Sequence, residues 1–129
     1  FLQQALRGGS LVIFGGGAQT RDFVYVDDVV EALVAASTAP DVDRRVINVG
    51  SGTETSINEL ARLVGEVVGQ EVEVLYSPAE SGGVSRLCAD IELARRLLGY
   101  EPRVDLREGL RRTLERDPRF ANEYGPPGT

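Results

Sequence analysis

Only one stretch of this chain, Val46, Ile47 and Val49, has the near-continuous apolar character of a strand buried on both faces. A doubly wound sheet needs several such strands, so a full βαβαβ half is excluded. The chain is therefore read as α/β of a smaller kind, an α+β lobe that leans on something larger. Residues 1–9 read as the end of a helix, with Phe1, Leu2, Ala5 and Leu6 on one side and Gly8-Gly9 as its stop. Residues 11–14 read as a short strand and residues 23–26 as a second. Gly15-Gly16-Gly17 lies between them and tolerates positive φ, so a hairpin is expected.

Helix signals dominate the remainder. Asp27 suits an N-cap for a helix to about residue 38, with Val29, Val30, Leu33 and Val34 on its buried side. Ser56 and Glu59 stand in capping-box spacing. Behind them Ile57, Leu60, Ala61, Val64, Val67 and Val68 recur at helical intervals until Gly69. Val72, Val74 and Tyr76 alternate as in a half-exposed strand, and residues 78–89 read as a loop. Asp90 opens a short helix closed by Gly99, and Asp105 with Glu108 caps a last one carrying Leu106, Leu110 and Leu114. The division expected is a lobe over residues 1–116 and a flexible tail over 117–129. A start inside a helix is expected of a fragment.

Composition removes several functions. With 129 residues there is room for one domain. A net charge of −6, without Arg clusters interleaved with aromatics, argues against nucleic-acid binding. The chain has no His, and Cys88 is its only cysteine, so neither a transition-metal site nor an internal disulfide is expected. Cys88 reads as a small buried hydrophobe. No apolar run approaches the roughly 18 residues of a membrane span, and the expected location is the cytoplasm.

Three stretches carry a resemblance. The first is Leu11-Val12-Ile13-Phe14-Gly15 with Gln19-Thr20-Arg21-Asp22-Phe23-Val24-Tyr25-Val26-Asp27-Asp28. The second is Val46-Ile47-Asn48-Val49-Gly50-Ser51-Gly52. The third runs through Gly83-Val84-Ser85-Arg86, Ala89-Asp90-Ile91, Leu97-Leu98-Gly99-Tyr100 with Pro102, and Glu108-Gly109-Leu110. In this order they resemble the C-terminal, substrate-binding part of extended short-chain dehydrogenases, the NAD-dependent epimerase/dehydratase family, and UDP-glucose 4-epimerase-like members first. The resemblance implies a substrate-binding lobe without its NAD-binding Rossmann domain. The family's Tyr-x-x-x-Lys pair is absent, because the chain contains no Lys, so no catalytic residue is expected in it. Gly15-Gly16-Gly17 leads into a strand rather than a helix, so no cofactor is expected here, and NAD is implied for the full-length protein.

What the resemblance implies for this lobe is a grip on the nucleotide diphosphate of a sugar substrate, a UDP-sugar above all. Arg21 matches the phosphate-contacting arginine, and Arg86 matches an arginine on the loop that closes over the nucleotide. A guanidinium suits the task because its planar fork meets two phosphate oxygens at once. Val12 and Phe14 match the strand that flanks the base, and Gln19 and Asn48 match positions near the ribose or sugar. Glu80-Ser81-Gly82-Gly83 departs from the Arg-x-Gly-Asp or Arg-x-Gly-Glu of many 4-epimerases. Epimerase, dehydratase, reductase and decarboxylase chemistries therefore stay open. Without the resemblance, Arg21 would read as a surface salt-bridge partner of Asp22. The partners expected are the missing N-terminal Rossmann domain and a second copy, as a homodimer or domain-swapped oligomer, through an apolar face around residues 46–49. The alternative is a stand-alone, non-catalytic module for nucleotide-sugar binding or dimerisation.

Overall fold

The computed structural model of the chain describes residues 1–78, 83–120 and 123–125. Nine elements follow in order: α1 (Leu2–Leu6), β1 (Leu11–Phe14), β2 (Thr20–Arg21), α2 (Val26–Thr38), β3 (Thr55–Ser56), α3 (Ile57–Val68), β4 (Val74–Ser77), α4 (Glu92–Leu98) and α5 (Leu106–Arg116). The class is α/β, with a small parallel sheet and helices, as expected. β1 pairs with β4 in parallel, Leu11 opposite Val74 and Phe14 opposite Ser77. β2 pairs with β3 antiparallel, Thr20 opposite Ser56 and Arg21 opposite Thr55.

α3 is the organising element. Ser56 Oγ accepts from the Glu59 N–H at 3.1 Å, satisfying an orphan donor of the first turn. Gly69 ends the helix in the left-handed conformation at φ 77°. Its apolar side, Ala61, Val64, Val67 and Val68, packs with Leu11 and Ile13 of β1, Ala5 of α1 and Leu114 of α5. A second cluster joins Ala32 of α2 to Ile91, Ala94 and Tyr100 around α4. The box read at Asp105 is also present, its carboxylate accepting from the Glu108 N–H at 2.8 Å.

Several expectations are corrected. No hairpin joins 11–14 to 23–26, because β1 takes its partner from β4, some sixty residues on. Residues 23–25 belong to no ladder. They pack on α5 instead: a methyl added at Gly109 would stand 3.3 Å from Tyr25 Cδ2. Alternation marks a strand-like side-chain pattern, and it does not say which surface receives it. Residues 46–49 form no strand among the described residues, and Val46 is 88% exposed. Ile47 and Val49 lean on the second cluster without a ladder partner beside them.

The buried side of α2 is also different from the one read. Asp28 and Ala32 face inward, whereas Val30, Leu33 and Val34 are 50%, 67% and 64% exposed. The N-cap position is Tyr25, and Asp27 and Asp28 lie in the first turn. Asp28 receives the backbone N–H groups of Arg103 and Val104, each at 3.1 Å, and so turns inward. Asp27 bonds Arg116 at 3.0 Å on the surface. Cys88 is exposed rather than buried. Beyond α5, Phe120 is 8% exposed within the α3 core. Positions 79–82 of the loop read over 78–89, and positions 121, 122 and 126–129 of the tail, lie outside the described residues.

Two leucines test this division of the surface. Leu114→Ala, at a site with no exposure, is expected to cost about 2–5 kcal/mol. Leu33→Ala on the open side of α2 is expected to stay within about 0.5 kcal/mol of wild type. Urea unfolding of both variants decides it, and equal losses would place Leu33 in a core.

Candidate nucleotide-binding cleft

Arg21 is the residue from which a site can be built. β2 is a two-residue strand, and its guanidinium curls back so that Nη1 donates to two carbonyl oxygens, Thr20 O at 2.6 Å and Val84 O at 3.0 Å. Both acceptors are neutral, so the group is oriented while its charge stays uncancelled by them. Among the described residues it forms no ion pair, which corrects its reading as a partner of Asp22. The residue lines a cleft of about 410 Å³ together with Asp22, Val24, residues 48–50 and residues 87–90.

Asp22 holds the walls of that cleft together. Its Oδ1 accepts from the Ser51 N–H at 2.7 Å and from Ser51 Oγ at 2.6 Å. Its Oδ2 accepts from the Gly52 N–H at 3.0 Å and from the Ala89 N–H at 3.1 Å. One carboxylate thus ties two distant segments to the end of β2. Burial works against its ionisation, but the hydrogen bonds from Ser51, Ala89 and Gly52 outweigh it and hold the carboxyl below the ordinary range. The approach is so close that a Cβ at Gly50 would lie 2.6 Å from both Ala89 Cβ and Asp22 Oδ2. The buried Tyr100 hydroxyl completes the support by donating to Gly50 O at 2.7 Å.

Arg86 has a different fate from Arg21. Its Nε and Nη2 fork onto Glu54 at 2.9 and 2.5 Å, and Thr20 Oγ1 donates to the same carboxylate at 2.7 Å. The hydrogen bonds from Arg86 and then Thr20 bring the Glu54 carboxyl down to about 2. Alternation along β2 sends Thr20 and Arg21 to opposite faces, so Glu54 and Arg86 gather on the Thr20 side, outside the lining of the Arg21 cleft. Cys88 lines the cleft, and its thiol is pushed up by desolvation first and then by the Asp22 and Glu54 carboxylates.

Of the other residues singled out above, Asn48 shares the Arg21 cleft. Val12 and Phe14 are 40% and 54% exposed on the outer face of the β1–β4 ribbon, beside Leu75 at 46%. Gln19 is spent locally, its Nε2 donating to Phe14 O at 3.1 Å. The sequence reading missed Asp22 and Glu54 as holders of the site. Their partners lie some thirty and more residues away, and the only local sign was the tight Gly50-Ser51-Gly52 run. A larger groove of about 480 Å³ follows the outer side of α3, but its arginine, Arg62, is ion-paired with Glu66.

The glycine turn does not suit a dinucleotide. Gly15 and Gly17 have φ of 73° and 72° and link β1 to β2, where a dinucleotide fingerprint opens a helix whose N–H groups meet the pyrophosphate. The space beside Gly17 is already filled, because a Cβ there would stand 2.1 Å from Asn58 Oδ1. This turn therefore does not form the pyrophosphate cradle of a dinucleotide fingerprint. No described helix is long and apolar enough to cross a membrane.

Residues 1–50 match the NAD dependent epimerase/dehydratase family. A putative UDP-glucose 4-epimerase of Methanocaldococcus jannaschii is 40% identical over 114 residues, 88% of this chain and 36% of the relative. The crystal structure of a UDP-glucose 4-epimerase from Thermotoga maritima with UDP-glucose superposes with a TM-score of 0.79 at 41% identity, over 85% of this chain and 35% of that one. A UDP-glucuronic acid 4-epimerase from Bacillus cereus, solved with NAD, gives 0.74 at 34% identity over 85% and 34%. The chain thus spans about a third of the length of the relatives it matches.

The Asp22 clamp makes a pH-dependent prediction. A carboxyl depressed in the folded state contributes stability above its unfolded value of about 3.9 and loses it as pH falls through the folded value. Asp22→Asn retains one acceptor but turns an amide donor toward backbone donors, an expected loss of about 2–4 kcal/mol at pH 7. Urea unfolding at pH 7 and pH 3 should show the gap to wild type narrowing at the lower pH. A constant gap would assign the loss to shape rather than charge.

Proposed function

Because the chain belongs to the NAD-dependent epimerase/dehydratase family over the stretch it shares with these relatives, we propose that it binds the nucleotide diphosphate of a sugar nucleotide, with Arg21 as the phosphate contact. The observation that carries the reading is the cleft-lining guanidinium oriented by two neutral carbonyls. A carboxylate partner would cancel the field an anion needs; carbonyl partners fix direction and leave the charge in place. In a net acidic chain, anion binding has to be local in this way.

Phe14 and Val12 supply the apolar surface for the base, on a ribbon face that is already half exposed. Asn48 offers an amide toward the ribose or sugar from within the cleft. Gln19 acts through its hold on the Phe14 carbonyl. Arg86, itself exposed, contributes a second cation once it is drawn from its pair with Glu54. UDP is the nucleotide proposed, since the Thermotoga maritima relative was solved with UDP-glucose. The protein activity to which this site belongs is the NAD-dependent epimerisation or dehydration of such a sugar, UDP-glucose 4-epimerase-like above all. The described residues supply its substrate grip and neither its redox group nor its proton-transfer pair.

A second reading, a non-catalytic binding or dimerisation module, draws on the open apolar side of α2. Val26, Val30, Leu33 and Val34, with Val46 in the connection that follows α2, are each at least half exposed. A helix with such a side favours association. The same face serves the first reading as the seat of an NAD-binding lobe.

Calorimetric titration separates the ligand claim from the rest. Wild type is expected to bind UDP, and Arg21→Ala to weaken it about 10- to 100-fold, as for a charged hydrogen bond. Uridine, which has no phosphate, should lose little. Arg21→Lys should recover only part, because an ammonium lacks the planar fork. An Arg21→Ala variant with undiminished UDP affinity sinks the assignment.

A further inference from the structure

We infer that Asn58, in the first turn of α3, is a positioning residue that sets the spacing between Phe14 and Arg21. The inference rests on the reading of those two as base and phosphate contacts. Between them lie residues 15–20, and three backbone carbonyls of that connection, those of Gly16, Gly17 and Gln19, are docked on the start of α3. Asn58 Nδ2 donates to Gly16 O at 3.0 Å. The Asn58 backbone N–H donates to Gly17 O at 3.0 Å, and the Ile57 N–H donates to Gln19 O at 3.1 Å. The Tyr76 hydroxyl donates to Asn58 Oδ1 at 3.0 Å, which fixes the amide's orientation.

The steric fit is as tight as the polar one. Gly17 is buried at φ 72°, and a Cβ there would meet Asn58 Oδ1, Cγ and Nδ2 at 2.1, 2.6 and 2.9 Å. The turn therefore cannot slide along the amide in either direction. α3 itself is fixed by Ala61 and Val64, which are 3% and 0% exposed. Tyr76 lies opposite Ile13 in the β1–β4 register, so the same amide is referenced to the ribbon that carries Phe14. A ligand held at both ends gains from the two contacts together only if their separation is preset. Asn58 supplies that setting and touches neither end.

A double-mutant cycle tests this on the intact protein, with UDP as the probe. In the wild-type background Asn58→Ala is expected to weaken UDP about five- to twentyfold. In a Phe14→Ala background only one end is gripped, spacing no longer matters, and the same substitution should cost less than about twofold. A merely structural role would cost the same factor in both backgrounds. Equal factors, or no loss in wild type, overturn the inference while leaving the Arg21 assignment standing. If neither Phe14→Ala nor Arg21→Ala changes UDP affinity, or UDP does not bind, the site reading and the inference fall together. Should Asn58→Ala unfold below the titration temperature, Tyr76→Phe carries the cycle. It removes only the bond to Oδ1, and the expected loss is about two- to fourfold, again confined to the wild-type background.

Discussion

A single carboxylate, Asp22, does for the cleft what a β-ladder does for a sheet. Ser51, Gly52 and Ala89 present backbone N–H groups with no strand to receive them, and Asp22 takes all three with the Ser51 hydroxyl in addition. An ionised carboxylate can do this because it is acceptor-only and has about four lone-pair directions. Asp28 repeats the device six residues later for Arg103 and Val104. With two short two-stranded sheets among its described residues, the chain satisfies irregular backbone by side-chain receptors. The geometry of the Arg21 cleft follows from where those receptors stand.

This arrangement explains what the amino-acid pattern could and could not convey. Ser56-x-x-Glu59 with Gly69, and Asp105-x-x-Glu108, bounded α3 and α5 correctly, because capping is chemistry within four residues. The side of α2 was misread because periodicity finds an apolar stripe without naming the surface that covers it. Here Asp28, drawn inward by two N–H groups, and Ala32 set the rotation, and the valines turn out. Residues 46–49 show the same limit: apolar character suits a buried strand, but a ladder also needs a neighbouring edge. Cys88 reads as apolar from its type alone, yet it lies on a segment whose inward-facing anchor is the Ala89 N–H bond to Asp22.

The candidate site was legible to the extent that a resemblance carried it. Arg21 and Asn48 meet in one cleft, while Gln19 carries a local partner and Arg86 a distant one, neither of which composition can reveal. Glu54 is the instructive case. It sits between a turn glycine and β3, with nothing in its neighbourhood to mark it, and it gathers Thr20 from β2 and Arg86 from the following loop. Long-range capture of this sort is decided by strand register, since the pairing of Arg21 with Thr55 puts Glu54 on the Thr20 side.

That register separates the two arginines by the company they keep. Arg86 meets a carboxylate in the same forked geometry a phosphate would use, so its charge is compensated and its release involves a competition. Among the described residues Arg21 donates to carbonyls and forms no ion pair, so its direction is set without a carboxylate fork. For an anion entering a chain of net charge −6, the second arrangement is the one that attracts at the outset. The contrast is a consequence of strand alternation in β2, which sends Thr20, with Glu54 and Arg86, to one face and Arg21 to the other, rather than of any difference between the two side chains.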